Sequence, residues 1–166
     1  MIDYSIPWAY FDGATQAQGC GGGILLHLSK LHHYKIQMGL GVGTNNFVEL
    51  ISLRHLLHFA LAHSCNQLHI FGDSKIIINW FNNINTFHVH RLRNILDEIQ
   101  ILKSQFNSVT CQHIYREHNL AAEKLSKEAT THPRGLWLIH EQIGDEQYQY
   151  YHLPYIDRAY PRVDRP

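Results

Sequence analysis

The stretch WAYFDGA, which runs from Trp8 to Ala14, is the starting point for the fold prediction. It has the composition of a β-strand that ends in an acid and a glycine. Its aromatic side chains favour a sheet, since large flat groups pack well on a pleated surface. Apolar runs over 23–29 and 33–40 follow it and predict two more strands. Three consecutive strands with short links predict an antiparallel meander, and Asp12 is expected on its first strand.

The pattern becomes helical from Asn46 to His63, where apolar side chains recur every three or four positions. Thr44 or Asn45 is predicted to cap this helix, because a short polar side chain can accept a hydrogen bond from the first free amides. Glu49 then lies in the first turns of the helix. The apolar stripe consists of Leu50, Leu53, Leu56, Leu57, Ala60 and Leu61.

The rest of the chain alternates between short strands and helices. Asp73 follows the first of these strands, and Glu123 lies in the last helix. The complete order is strand-strand-strand-helix-strand-helix-helix-strand-helix, which predicts an α/β fold. The elements after the first helix are a strand over 67–71, helices over 74–83 and 89–106, a strand over 108–115 and a helix over 119–130.

Four separate segments each carry one carboxylate: Asp12, Glu49, Asp73 and Glu123. If the strands that deliver Asp12 and Asp73 are parallel neighbours, both side chains reach the same edge of the sheet, where open α/β sheets bind ligands. Carboxylate oxygens are the ligands that Mg²⁺ prefers, and clustered acids are stable chiefly when cations lie among them. Two such ions roughly 3.5–4 Å apart activate a water and stabilise the leaving oxygen of a phosphodiester. The acids therefore indicate a two-metal nuclease.

Each acid also has an ordinary explanation when it is taken alone. Asp12 could mark a turn, and Glu49 could be a favourable acid in the first turn of a helix. Asp73 could belong to a helix cap, and Glu123 could form a surface ion pair with Lys127, four residues on. All four explanations would have to hold together at these positions, so the metal site is favoured.

The order and surroundings of these acids resemble those of the ribonuclease H family, in particular the reverse-transcriptase-associated domains of plant retroelements. The resemblance runs from about Trp8 to Ala129. It implies a ribonuclease H-like α/β fold, in which helices flank a mixed five-stranded sheet of three antiparallel and two parallel strands. The motifs that carry it are Asp12-Gly13, the glycine-rich 19–23, Thr44-Asn45-Asn46 before Glu49, Gly72-Asp73-Ser74-Lys75, and Arg116-Glu117-His118-Asn119 before Glu123.

The resemblance divides the chain into a ribonuclease H-like domain over 8–130 and an aromatic-rich C-terminal extension over 131–166. The extension either packs on the domain as a strand or helix, or forms a linker. Packing is favoured over base stacking, because no basic residue is interleaved with its tyrosines before Arg158. These tyrosines are Tyr148, Tyr150, Tyr151, Tyr155 and Tyr160.

The chemistry that the resemblance implies is hydrolysis within the RNA strand of an RNA/DNA hybrid, which leaves a 3′-hydroxyl and a 5′-phosphate. Two Mg²⁺ ions, which Mn²⁺ can replace, would be held by the four acids. Asp12 would bridge both ions, and Glu49 and Asp73 would complete the ligand shell. Glu123 would hold the ion that activates water.

The resemblance also implies residues that contact the substrate. The segment Thr44-Asn45-Asn46 matches the one that reads the RNA minor groove, where 2′-hydroxyls are displayed, although helix capping can coexist with this role. The glycines of 19–23 would let the backbone approach the sugar-phosphate chain, or they mark a bulge. His118 or His113 is the candidate for proton transfer. The other expected contacts are Gly13, Cys20 and Ser74.

Two departures from the family pattern predict weakened activity. Most relatives carry Asp where this chain has Glu123, and a shift of about 1 Å in a catalytic group can cost roughly 10²-fold in rate. No lysine-rich element lies between Asn83 and Arg91, so we expect weak or poorly processive binding. The cations left to engage phosphate are Lys75, Arg91, Arg93 and Lys103.

Two other classes of function stay open. A catalytically weakened, retroelement-derived domain would bind nucleic acid or a protein partner, and Glu123 favours this alternative. A 3′-to-5′ exonuclease on the same fold is disfavoured. Such enzymes place a second acid two residues after the first, where this chain has Ala14.

Composition limits the partners. The 166-residue chain balances 14 Lys and Arg against 14 Asp and Glu, which argues against tight nucleic-acid binding by charge alone. Fourteen histidines predict a more basic surface below neutral pH.

The absence of a membrane-length apolar run and of a secretory signal predicts an intracellular protein, cytoplasmic or nuclear, with no membrane partner. We expect a monomer, either free or part of a reverse-transcriptase polyprotein. Buried, reduced thiols are expected at Cys20, Cys65 and Cys111.

Overall fold

The computed structural model describes residues 3–84 and 90–153, and these residues form one mixed sheet with helices packed on it. Each predicted strand and helix within this part of the chain is found, with ends shifted by a few residues. The strands are β1 (Trp8–Gln16), β2 (Gly19–Ser29), β3 (His32–Gly41), β4 (Gln67–Gly72), β5 (Ser108–His113), β6 (Trp137–Ile143) and β7 (Glu146–His152). The α-helices are α1 (Asn45–Ala62), α2 (Lys75–Phe81), α3 (Arg93–Ser104) and α4 (Leu120–Ala129), with short 3₁₀ turns at His90–Leu92 and Arg116–His118.

The strand order is β5-β4-β1-β2-β3-β6-β7. The first three strands form the predicted antiparallel meander, and β4 pairs in parallel with β1 on its other side. A second parallel pairing joins β5 to β4. The mixed α/β architecture is therefore confirmed.

The prediction of five strands was wrong, because the described sheet contains seven. β6 pairs antiparallel with β3 from His32–Ile143 to Met38–Trp137, and β7 pairs with β6. Without β6, the backbone groups of β3 would form an exposed edge. Trp137 and Ile139 of β6 also enter the core, with 1% and 0% of their surface exposed. The chain from 154 onward, including Tyr155, Tyr160 and Arg158, lies outside the described residues, as does Val89.

The helices α1 and α4 cover opposite faces of the sheet, and glycines in β2 set how closely they approach. A Cβ atom on Gly21 would lie 2.3 Å from the carbonyl oxygen of Ser126 in α4, whereas one on Gly22 would lie 2.6 Å from Ser52 Oγ in α1. Successive residues of a strand point to opposite faces. The glycine-rich segment, which is buried, therefore admits α4 to the sheet. The β2–β3 register shifts between Cys20 and Gly21, which agrees with the bulge that the sequence offered as an alternative for these glycines.

Two further expectations concern the cysteines and the membrane. Cys20, Cys65 and Cys111 are buried free thiols, as predicted. Among residues 3–84 and 90–153, no helix combines the length and the apolar character that a membrane span requires.

Candidate active site

The two central parallel strands bring Asp12 and Asp73 together. Tyr10 of β1 is paired with Phe71 of β4, and each acid follows its paired residue by two positions. Both side chains therefore lie just beyond the parallel pairing of β1 with β4, at the carboxyl end of β4, while β1 continues to Gln16. Ligands bind at the carboxyl ends of parallel strands in this class of sheet.

Gly13 allows the third acid to join them. A Cβ atom at this position would lie 2.8 Å from the backbone nitrogen of Glu49 and 2.8 Å from the carbonyl carbon of Val48. Glycine is thus required for α1 to lie this close to β1. One carboxylate oxygen from each of Asp12, Glu49 and Asp73 lies within 4.8 Å of the other two.

Burial makes this cluster electrostatically costly without a counter-charge. Asp12 is 7% exposed and Glu49 is 9% exposed. Burial raises the pKa of Asp12, and burial together with the nearby charge of Asp12 raises the pKa of Glu49 well above its usual range. Glu49 Oε2 is buried with no hydrogen-bond partner. Hard oxygen donors with an unsatisfied atom among them fit a site for divalent cations such as Mg²⁺.

Two side chains in and just before α4 hold Asp12 in place. Ser126 Oγ in α4 lies 2.8 Å from Asp12 Oδ2 and donates a hydrogen bond to it. Just before α4, the buried Asn119 donates from Nδ2 to the carbonyl oxygen of Phe11 over 3.0 Å. Sequence reasoning missed both roles. The usable signal was the spacing of Asn119, Glu123 and Ser126, which places them on one helical face.

The fourth predicted acid, Glu123, lies outside the three-carboxylate cluster. Arg116 forms a bidentate pair with it, from Nε to Oε2 over 2.9 Å and from Nη2 to Oε1 over 2.7 Å. Lys127 Nζ donates to Oε1 over 2.6 Å. These hydrogen bonds, first from Arg116 and then from Lys127, lower the pKa of Glu123 to about 2. The surface pairing with Lys127 that the sequence suggested is therefore present, alongside a stronger pair with Arg116.

Three of the four acids line one open cleft. The cleft has a volume of about 460 Å³, and Asp12, Asp73 and Glu123 line it directly. Glu49 is buried beside Asp12 at its base. The remaining lining residues are Gly13, Ala14, Thr15, Gln16, Asn45, Arg116 and Lys127.

The sequence from Phe11 to Ala129 matches the family model described as reverse transcriptase-like. The chain therefore belongs to this reverse transcriptase-like family of ribonuclease H domains. No curated protein sequence shows a significant match to it.

Solved structures share the fold of this ribonuclease H domain. It resembles ribonuclease H1 from the archaeon Halobacterium salinarum, with a TM-score of 0.68, 23% identity, and coverage of 74% of this chain and 96% of that one. It also resembles the N-terminal ribonuclease H domain of a Mycobacterium tuberculosis protein, with a TM-score of 0.67, 22% identity and coverage of 74% and 91%. A compost-derived ribonuclease H1, solved in complex with an RNA/DNA hybrid, gives a TM-score of 0.65 at 21% identity, with coverage of 75% and 96%.

A viral protein contains the same fold as part of a longer chain. The protease-reverse transcriptase of prototype foamy virus gives a TM-score of 0.55 at 15% identity, covering 76% of this chain and 21% of the viral one.

The predicted substrate residues of the ribonuclease H domain fall into two groups. Gly13 and Asn45 line the cleft, where Asn45 Oδ1 accepts a hydrogen bond from Thr15 Oγ1. Thr44 caps α1, since its Oγ1 accepts from the Phe47 amide over 3.2 Å. The other three predicted contacts lie outside the cleft lining. Asn46 is half-buried in the first turn of α1, Ser74 precedes α2 and makes no capping bond, and Cys20 is buried with its Sγ 3.5 Å from the carbonyl oxygen of Gly43.

The predicted proton-transfer and phosphate-binding residues are spread more widely. His118 is exposed on the 3₁₀ turn before α4, outside the cleft lining, and His113 is half-buried against Tyr115. Two predicted phosphate contacts already have internal partners: Arg93 pairs with Asp97 over 3.4 Å, and Lys103 Nζ donates to the carbonyl oxygen of Phe81. Lys75 and Arg91 are exposed.

Proposed function

We propose that this ribonuclease H domain hydrolyses the RNA strand of RNA/DNA hybrids with the help of two Mg²⁺ ions, which Mn²⁺ can replace. The observation that carries this proposal is the cluster of Asp12, Glu49 and Asp73, which lies where the parallel pairing of β1 and β4 ends. The buried, unpartnered Oε2 of Glu49 supports it, because a buried anionic oxygen without a partner is costly unless a cation satisfies it.

Asp12, Glu49 and Asp73 would hold the ions. Bound there, divalent ions lower the pKa of an attacking water and stabilise the leaving oxygen of the phosphodiester. Asp12 occupies the central position, and the hydrogen bond from Ser126 fixes the orientation of its carboxylate. Asn119 holds the adjacent backbone. The carboxylates are thereby positioned before ions or substrate arrive, which is the main contribution that a protein makes to such chemistry.

The cleft suits a duplex with a wide, shallow minor groove. It is open and polar, and the exposed Asn45 and Thr15 lie along it. Amide and hydroxyl groups can bond the 2′-hydroxyls that distinguish RNA from DNA. The ribonuclease H1 that was solved with an RNA/DNA hybrid shares this fold, which supports a hybrid as the partner. The same proposal assigns proton transfer to His118. It also includes a monomeric state and a place within a larger reverse transcriptase.

A second candidate function is a catalytically weakened domain that binds nucleic acid or a protein partner. The observation that favours it is the double pairing of Glu123 with Arg116 and Lys127. An ion at Glu123 competes with these charge-assisted bonds for the same two oxygens, and such bonds are about twice as strong as neutral ones. The weakened domain would keep the fold and the three-acid cluster while turning over slowly.

An end-labelled RNA/DNA hybrid, incubated with Mg²⁺ or Mn²⁺, tests both candidates. We expect cleavage only in the RNA of the hybrid, with single-stranded RNA and duplex DNA left intact, and loss of cleavage in Asp73→Asn. Asp97→Asn is the matched control, because Asp97 is an exposed acid of α3 paired with Arg93.

The variant Glu123→Asp separates the two candidates. Wild-type cleavage at a rate that this variant does not improve supports the active enzyme. Absence of wild-type cleavage with restoration by Glu123→Asp supports the weakened domain. Absence of cleavage in both folded proteins, with or without Mn²⁺, contradicts the nuclease proposal.

A further inference from the structure

A second cleft adjoins the catalytic cleft at the end of β1. Thr15 and Gln16 line both. The second cleft has a volume of about 480 Å³ and extends between the β1–β2 turn, the end of β3 and the segment that follows α4. A long ligand that lies in the catalytic cleft therefore passes directly into the second one.

The boundary between the two clefts is held by side-chain hydrogen bonds. Gln18 Nε2 donates to Gln16 Oε1 over 2.6 Å and to Thr130 Oγ1 over 2.9 Å. These bonds fasten the β1–β2 turn to the end of α4. The second cleft is thus preformed, which lowers the entropy cost of binding there.

Among residues 3–84 and 90–153, Arg134 is the one arginine that lines the second cleft, and the turn that carries it is fixed in place. The Gly135 amide donates to the Gly39 carbonyl oxygen over 3.0 Å, so the turn that carries Arg134 is fixed to β3. The stem of Arg134 packs on Gly41, where an added Cβ atom would lie 3.1 Å from Arg134 Cδ. Gly41 has a φ of +75°, a conformation that favours glycine. The aliphatic stem is therefore held while the residue stays exposed.

The charge of Arg134 is available to a ligand, unlike that of the cations in the catalytic cleft. Arg116 and Lys127 are both bound to Glu123. Within residues 3–84 and 90–153, Arg134 has neither a carboxylate partner nor a side-chain hydrogen bond. A guanidinium presents a planar fork of donors that matches the oxygens of a phosphate.

We propose that the second cleft binds a backbone phosphate of the same hybrid, with Arg134 as the residue that contacts it. This inference rests on the proposed function. Gln16 lies four residue steps beyond Asp12 along β1, which is about 13 Å at roughly 3.3 Å per step. Along a nucleic-acid duplex, this distance corresponds to about four base steps at roughly 3.4 Å each. Arg134 is therefore a positioning residue, distant from the reacting atoms, and it lies beyond the part of the chain that matches the family model.

The test compares Arg134→Ala and Arg134→Lys with the control Lys30→Ala. Lys30 lies in the β2–β3 turn, at the end of the sheet opposite Gln16. Binding of the hybrid is measured over a range of salt concentrations in the Asp73→Asn background, and kcat and KM are measured in the active protein.

We expect Arg134→Ala to weaken binding and to raise KM by about threefold to tenfold while kcat is unchanged, and to reduce the salt dependence by about one phosphate contact. Arg134→Lys should retain the salt dependence, and Lys30→Ala should match the parent protein.

Three results would overturn the inference. An unchanged salt dependence in Arg134→Ala, in a protein that binds and cleaves the hybrid, removes the phosphate contact but leaves the proposed function standing. A fall in kcat and in melting temperature in both Arg134 variants shows a structural lesion instead of a phosphate contact. A folded wild-type chain that neither binds nor cleaves the hybrid refutes the proposed function, and this inference with it.

Discussion

Single residues determine which carboxylate oxygens of the site have a hydrogen-bond partner. Asp12 has a hydrogen-bond donor in Ser126, whereas Glu49 keeps one buried oxygen without a partner. Burial disfavours the charged form of both carboxyl groups. Without a bound cation, the buried carboxylates of Asp12 and Glu49 therefore destabilise the folded state. Such a site is retained at a cost in stability.

The contribution of Asp12 and Glu49 to the stability of the metal-free protein should fall as pH rises. The raised pKa values of Asp12 and Glu49 mean that the folded state binds more protons than the unfolded chain. Their contribution to the free energy of unfolding therefore decreases from about pH 4, the ordinary range of these acids, towards neutral pH, whereas His27 and His55, whose pKa values burial lowers, contribute with the opposite sign. Glu49→Gln should flatten this decrease and abolish stabilisation by Mg²⁺. Urea unfolding over a pH series with EDTA or Mg²⁺ measures both effects, and an unaltered pH slope in the variant would contradict the assignment.

Ser126→Ala should impair the site more than it impairs the fold. The variant removes the donor to Asp12, so we expect a loss of about 1 kcal/mol in stability and weaker binding of Mg²⁺. Ser52→Ala is the control, because Ser52 is a buried serine of α1 whose Oγ donates to the Val48 carbonyl oxygen over 2.7 Å. Thermal shift with increasing Mg²⁺ compares the two variants. Equal Mg²⁺ responses would show that the Ser126 hydroxyl does not support the cluster.

At the scale of elements, the site exists because two helices approach the sheet closely from opposite faces. Gly13 admits α1, which carries Glu49, and Gly21 and Gly23 admit α4, which carries Ser126 and Glu123. A side chain at any of these glycines would meet backbone atoms of a helix within 3 Å. The sequence of α1 and α4 alone does not specify where they pack. Their close approach to the sheet requires glycines in the strands beneath them.

Gly13→Ala should push α1 away from β1. The new methyl group would lie 2.8 Å from the Glu49 nitrogen, and overpacking of this kind costs about 1–3 kcal/mol. Because Glu49 moves with the helix, we also expect Mg²⁺ affinity to fall. Gly144→Ala, in the β6–β7 turn with a φ of +57°, should cost about 1–2 kcal/mol in backbone strain but leave Mg²⁺ binding unchanged. Calorimetric titration with Mg²⁺ compares the variants, and undiminished affinity in Gly13→Ala would contradict the packing argument.

At the scale of the whole molecule, the C-terminal hairpin extends the sheet beyond the region that matches the family model. β6 covers the edge of β3, and Tyr150 of β7 packs against the core. The buried Glu141 binds His32 over 2.6 Å, which joins the hairpin to β3 by a side-chain contact as well. The extension is therefore part of the folded structure as far as His152.

A chain that ends at Thr130 should be unstable and prone to association. It would expose the edge of β3 and the apolar surface that Trp137 and Ile139 cover. Burial of one large apolar side chain contributes about 1.5–3 kcal/mol, so we expect a loss of at least that size. Chemical unfolding and light scattering measure the two effects. A monomeric truncated chain of unchanged stability would show that the domain is complete without the hairpin.

The order and type of the elements up to α4 follow from the amino-acid pattern, because apolar side chains recur with the period of each element. It also identified Asp12, Glu49 and Asp73, since each follows a strand or begins a helix in a spacing that the family shares. The sequence favoured packing of the C-terminal extension on the domain but did not locate its two strands, because Glu141, Gln142 and other polar side chains interrupt the apolar pattern of β6 and β7. Strand pairing there depends on an available edge of β3, which is a property of the assembled sheet.

Which charged groups neutralise one another is settled by folding and does not follow from sequence spacing. Glu123 and Lys127 are four residues apart, but Arg116 reaches the same carboxylate from a separate 3₁₀ turn. Arg134 reaches the neighbouring cleft from a turn fixed to β3. Electrostatic interactions depend on distance in space and on burial, which a linear pattern does not specify until the chain has folded.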